Sequence, residues 1–255
     1  MLLTLLPAGH AFATDGARPF DMTSTDLTIL DPDTHAVLGH GHYKVSKDGS
    51  AQVFEGENRF VNGEYDHEEQ RVEPATPAPR LISYKHSFFN ADGTPESIDA
   101  LDATTGVLAC THFDSAGTPE VRRMKTALPP DTYVGSTQLM LLVGRLREGA
   151  RDLSMHTFIC FPGPRIVALT ATPTAQSEKW PEYPGKLVKV EMVPDLGWIG
   201  TLASPFIPKA YGWFDPSDQY NYVGGLFDRF YRHHHLLMVR ISGVSGVVQN
   251  SLAAH

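Results

Sequence analysis

From Leu38 to Arg123 the apolar and polar positions fall into short alternating runs broken by turn residues, the pattern of antiparallel strands with one buried face. His42, Lys44 and Ser46 alternate with Tyr43 and Val45. The run stops at Lys47-Asp48-Gly49-Ser50, whose Asp-Gly pair favours the positive φ angles of a tight hairpin. A strand over 51–60 follows, and Asn62-Gly63 turns the chain into a polar strand over 64–72. The Pro-rich stretch 74–79 separates it from a strand over 81–89. Asn90-Ala91-Asp92-Gly93 and Thr105-Gly106 then punctuate strands over 97–101 and 107–113. The succession predicts an antiparallel meander.

The period changes once, after Pro129-Pro130. Asp131 or Thr132 is placed to cap a helix there, and Leu139 to Val143 with Leu146 give it a broad apolar face. Gly149 suits a left-handed C-terminal cap. Gly135 and Gly144 each weaken such a helix by about 1 kcal/mol relative to Ala, so packing must hold it. Strands resume at 154–160, 165–172 and 186–193. Residues 194–231 sustain neither period, and Pro205 and Pro208 exclude a regular helix or central strand around them, so short pieces and loops are expected. A last strand is predicted over 235–241, followed by a mobile tail over 242–255.

These elements predict a mainly β fold: one domain over 14–241, its antiparallel sheet curved or closed into an open barrel, with a helix over 132–148 packed on or in it. A length of 255 residues suits such a domain, and the hairpin-rich first half provides no crossover for a parallel α/β sheet. Apolar content of 42% supports a sizeable core. A net charge of −8 with dispersed acids argues against a nucleic-acid groove or an anionic membrane surface, so a small or neutral ligand fits better.

The first thirteen residues, MLLTLLPAGHAFA, read as the tail of a secretory signal with a small-residue cleavage site, although no cation precedes Arg18. The expected location is therefore periplasmic or extracellular. No run approaches the ~20 apolar residues of a membrane helix. In an oxidising compartment the two cysteines, Cys110 and Cys160, are expected to bridge, with a stabilisation on the order of 4 kcal/mol. The alternative is two buried thiols acting as small hydrophobes.

Candidate chemistry is sparse. His40 and His42 would share one face of a strand and could ligate a metal with a third ligand from His67, His86, His112 or His156; the plainer reading is surface or hydrogen-bonded histidines. His233-His234-His235 alternate between faces and cannot converge. Glu64, Asp66 and Glu68 share a strand face on which nothing apolar lies, so a solvated face is expected. No nucleophile elbow, phosphate loop or dinucleotide fingerprint occurs, and no cofactor is expected.

What remains is an aromatic load around a single helix. Ile82, Tyr84, His86 and Phe88 should share one strand face. With the helix and the late aromatic loops they predict a ligand cavity in which Tyr84 and His86 orient an apolar guest beside Phe88. Tyr133, Trp198 and Trp213 would form its walls. The alternative is a core these side chains fill completely.

The order of a strand meander from about Gly39, then Leu128-Pro129-Pro130-Asp131-Thr132-Tyr133 into a helix, then Arg147-Glu148-Gly149 before a returning strand, resembles exported bacterial proteins of unknown function with lipocalin-like or lipoprotein-carrier-like open barrels. The resemblance implies a half-closed sheet holding a lipid or other hydrophobic molecule. A metal-assisted enzyme built on His40 and His42, or a structural envelope protein, are the alternatives; the oligomeric state is left open.

Overall fold

A computed structural model describes residues 24–75, 79–160, 163–178, 183, 185–195, 210–228 and 236–241. The signal-like N-terminus, Trp198, the three consecutive histidines and the tail over 242–255 lie outside them. Eight strands precede the helix: β1 (Ser24–Leu30), β2 (Val37–Asp48), β3 (Ala51–Phe60), β4 (Tyr65–Glu73), β5 (Arg80–Phe89), β6 (Pro95–Asp102), β7 (Val107–Phe113) and β8 (Pro119–Lys125). After α1 (Ser136–Arg147) come β9 (Leu153–Ile159), β10 (Arg165–Glu178), β11 (Leu187–Asp195), β12 (Ala210–Asp215), β13 (Asn221–Asp228) and β14 (Leu236–Ile241).

All fourteen strands form one antiparallel sheet, ordered β8-β7-β6-β5-β4-β3-β2-β1-β14-β13-β12-β11-β10-β9. The first strand pairs with the last, Leu27 opposite Ile241 and Ile29 opposite Val239. Two meanders therefore meet at a central seam, and α1 joins the outermost strand of one to the outermost strand of the other. Short turns fix the register of the first meander. Gly49 and Gly63 take the positive φ that their hairpins require, and the Asn62, Asp92 and Asp102 side chains each accept a backbone N–H two residues on.

The helix decides the curvature, because its apolar residues need cover on more than one side. Leu142, Val143 and Leu146 pack with Leu153, Met155, Leu169, Val190, Met192 and Phe214 of the second meander. Met140, and Val134 just ahead of the helix, pack with Phe54, Val72, Leu81, Leu101 and Leu108 of the first. The fold is thus a curved antiparallel sheet around one principal helix, as the strand pattern predicts.

The helix begins four residues later than expected. Asp131 to Tyr133 are held in extended form against β9 instead, with the Tyr133 N–H on the His156 carbonyl and the His156 N–H on that of Asp131. Gly135 then occupies the N-cap at φ +48°. At the other end the Gly149 N–H bonds the Leu146 carbonyl and the Ala150 N–H that of Arg145, the expected glycine cap.

The two sheet edges differ. β8 is exposed along almost its whole length, whereas β9 is largely buried. The Cys110–Cys160 disulfide ties the end of β9 to the inner face of β7, and Phe158 meets Tyr84 edge-on at 6.3 Å. The bridge closes a separation of 50 residues and suits an oxidising compartment. No helix among the described residues is long and apolar enough to cross a membrane.

Strands β12 and β13 lie in the segment expected to be irregular. They are joined through Gln219 and Tyr220, both at positive φ, a left-handed pair that no glycine announces. The Arg147 guanidinium donates to the Gln219 carbonyl at 2.6 Å, so the turn depends on the helix.

Candidate functional site

Register places three parallel rows of side chains on the inner face of β2 to β7. The first, Val45-Phe54-Gln70-Tyr84-Leu101-Leu108, is mostly apolar and lies against the helix side. The second is Tyr43-Gly56-Glu68-His86-Asp99-Cys110, and the third is Gly41-Asn58-Asp66-Phe88-Ser97-His112. Polarity rises along this series away from the helix. Every row mixes buried and half-buried positions: Leu108, Gln70 and Ser97 are fully buried, Tyr84, Tyr43, Asn58 and Phe88 are half-buried, and His112 at the end of the third row is exposed.

The expectation of a solvated acidic face on β4 is overturned: Asp66 and Glu68 are only 4% and 6% exposed. They share the alternation of Val72, which is core, and the outward positions belong to Tyr65, His67, Glu69 and Arg71. The sequence carries that signal, since Asp66-x-Glu68-x-Gln70-x-Val72 and Ser97-x-Asp99-x-Leu101 each run in phase into a core residue.

Asp66, Glu68 and Gln70 are held by hydrogen bonds. The Asp66 carboxylate accepts from the Asn58 amide at 2.9 Å and from His86 Nε2 at 3.1 Å, while His86 Nδ1 lies 3.3 Å from the Tyr84 hydroxyl. Glu68 accepts from the Gln70 amide and, at 3.2 Å, from the Ser136 hydroxyl at the start of the helix. Gln70 in turn accepts the Thr137 N–H at 3.2 Å. A carboxylate from the sheet therefore faces the positive end of the helix. Gly135 makes the approach possible, since a Cβ there would stand 2.5 Å from Gln70 Nε2 and 2.7 Å from Glu68 Oε1. Gly56 gives way in the same manner to the Tyr43 ring, which lies over it.

Burial works against a charged His86. The hydrogen bond to Asp66 and the nearby negative charges of Asp66, Glu68 and Asp99 outweigh it and hold the ring above the usual imidazole range. Burial also pushes the Tyr43 hydroxyl well up, reinforced by Glu68 and Asp66 and opposed by its hydrogen bond with Asn58.

Of the residues singled out from sequence, Tyr84, His86 and Phe88 come together, with the His86 and Phe88 ring centroids 4.1 Å apart. Ile82 does not share their face. A register shift between Arg71 and Val72 puts Leu81 in the core instead. Tyr133 is buried in the other cluster, with Met155 and Leu142. Trp213 points to the opposite side of β12 from Phe214, into a small group with Leu187 and Val223, and is not brought to Tyr84. Tyr43, Asn58, Gln70, Ser97 and Asp99 were not anticipated.

His40 and His42 do share a face, but it is the outer, exposed one, where His42 Nδ1 bonds Asp26 at 2.7 Å. His156 is engaged with Asp131 and His67 lies on the outer side of β4. Among the described residues the one set of three potential metal ligands within 4.8 Å of one another is Asp99, Cys110 and Cys160, and its two sulfurs form the disulfide.

No family model matches the chain, and no curated protein matches it. A solved structure described as a beta-barrel-like protein of domain of unknown function DUF1849, from Brucella abortus, aligns over 86% of this chain and 94% of its own, at 10% identity and a TM-score of 0.41. The mainly β, barrel-like class rests on the strand order and curvature described above.

Proposed function

We propose that this chain is an exported binding protein that holds a small, mostly apolar molecule on the part of the inner face that the helix leaves uncovered. The observation that carries this reading is the half-buried surface of Tyr43, Asn58 and Phe88 beside oriented polar groups inside an otherwise apolar curl. Ligand sites commonly combine apolar walls with a few placed polar groups in this way. The apolar run at the N-terminus and the Cys110–Cys160 bridge support export.

The test is titration with N-phenyl-1-naphthylamine, a neutral apolar fluorophore. Saturable binding at one site is expected, together with its loss in Ser97→Trp, where a large ring would fill the fully buried Ser97 position. Equal binding by Ser97→Trp with an unchanged circular dichroism spectrum, or no saturable binding by the native chain, would overturn the proposal. Fractionation of the full-length chain should find it outside the cytoplasm with both cysteines oxidised.

A further inference from the structure

We infer that the molecule held on this inner face carries a positively charged nitrogen, so that the site selects organic cations; the inference rests on the binding function proposed above. The charge count of the second and third rows is its first support. From β2 to β6 these rows contain Tyr43, Gly56, Glu68, His86 and Asp99, then Gly41, Asn58, Asp66, Phe88 and Ser97. Three carboxyl groups, each less than a tenth exposed, therefore face one basic side chain within β2 to β6, His86; the rows run on to exposed His112 on β7 and to exposed Arg122 on β8, which is paired with Glu120. Lys44, Arg59, Arg71 and Lys85 of the same strands alternate to the outer side. The Asn58 and Gln70 amides and the Ser136 hydroxyl donate hydrogen bonds but bring no formal charge. Among the described residues of these rows the three buried carboxyl groups still outnumber the imidazoles of His86 and His112, and buried charge is costly unless a counter-charge lies close by.

An independent observation places a ligand group there. The Ser97 hydroxyl is completely buried and has no hydrogen-bond partner among the described residues. It lies on the same face as Asp99, two residues away on β6, and in the row that contains Asp66. A buried hydroxyl left unpaired is costly, and a donor N–H arriving between Ser97 and the carboxylates would relieve that cost. The rings of Phe88, Tyr84 and Tyr43 border the same surface and suit a cation that is also partly apolar.

The alternatives fit less well. An anion would meet Asp66, Glu68 and Asp99. A compact divalent metal needs ligand atoms that converge, and these three carboxylates do not form such a set. An alkylammonium or a guanidinium is spread over several ångströms and does not need them to.

The experiment displaces N-phenyl-1-naphthylamine from the native chain with dodecylammonium, dodecanol and dodecanoate, each below its micelle-forming concentration. About 0.5 M salt is present, to screen the attraction of amines to an acidic surface. Dodecylammonium should compete about tenfold or more better than dodecanol, and dodecanoate worse than either. An Asp66→Asn, Glu68→Gln double variant should lose that preference while still binding dodecanol. Should that variant not fold, the native series decides by itself. Dodecanol competing as well as dodecylammonium would overturn the cation and leave the binding function standing; failure of every probe would overturn both. Butylammonium separates the sources of the amine: competition within about tenfold of dodecylammonium assigns a small free amine, and weaker competition an amine on a long chain, either supporting a cation site.

Discussion

The inner faces of the two meanders present the same alternation to the same helix and use it differently. On β9 to β13 the inward positions Leu153, Met155, Leu169, Ala171, Val190, Met192, Phe214 and Tyr222 are buried apolar or aromatic side chains, and the polar Thr157 among them is neutral and accepts from Gln138 of the helix. On β2 to β7 the inward positions begin apolar at Phe54, Leu101 and Leu108 but pass within one or two residues to Glu68, Asp66, Asp99 and Ser97. Apolar burial contributes about 25 cal/mol per Å², whereas a buried ion pair often does no better than an apolar replacement of the same volume. Apolar packing on both meanders therefore supplies the stability, and the first also carries groups whose presence stability does not explain. Residues kept at an energetic disadvantage inside a curled sheet are where function is to be sought.

The contrast can be broken most directly by truncating the stable side. Phe214→Ala, at a side chain with no exposed surface, should cost roughly 3 to 5 kcal/mol in denaturant unfolding. A cost below about 1 kcal/mol would mean that the second meander is not the core. The bridge that ties the meanders together comes next. Replacing both Cys110 and Cys160 by Ser should lower stability by roughly 2 to 4 kcal/mol, because the unfolded chain regains the freedom of a long loop. Equal midpoints for the oxidised native chain and the double variant would remove the bridge from the account.

Smaller effects sharpen the comparison where the helix meets the polar rows. Gly135→Ala combines a positive φ with a Cβ thrust at Gln70 and Glu68, and should cost roughly 2 kcal/mol. Asp66→Asn keeps the shape and two hydrogen-bonding sites while removing one of the excess charges, so unfolding should shift by no more than about 1 kcal/mol. A loss as large as that of Phe214→Ala would make the polar rows as structural as the apolar ones and end the contrast.

The smallest effect is a pH dependence. The folded state holds His86 above its unfolded value, so the stability it contributes is fully present below about pH 6.5 and is lost as pH rises through the folded value. Denaturant midpoints measured on the alkaline side should therefore fall relative to those near pH 6. In His86→Gln that component should vanish. An unchanged slope in the variant would show that His86 is not its source.

Hairpin chemistry made much of the first meander legible. Asp48-Gly49 and Asn62-Gly63 delimit β3, which runs from Ala51 to Phe60 as its alternation predicts, and β7 runs from Val107 to Phe113 for the same reason. Local signals were sufficient because each turn needs only its own residues. The helix start was misplaced because the Asp131–Tyr133 segment had a better partner in β9 than in its own first turn. Strands β12 and β13 went unread because their turn at Gln219 and Tyr220 is stabilised by Arg147, 72 residues earlier in the chain.

The candidate site was half legible. The period of two puts Tyr84, His86 and Phe88 on one face whatever the fold, and Cys110 and Cys160 were marked by being the sole pair. By itself the sequence determined that the chain alternates, turns antiparallel and contains one apolar helix, because those properties depend on neighbours a few residues apart. Which face of β4 became the inside was decided only by the tertiary structure. Curvature around α1 carried the parity of Val72 inward and took Asp66, Glu68 and Gln70 with it, while a single bulge exchanged Leu81 for Ile82 and the inward placement of Phe214 on β12 left its neighbour Trp213 on the far side. A strand cannot turn one residue in without turning in every second neighbour, so burying the apolar end of β4 placed its acidic end inside as well.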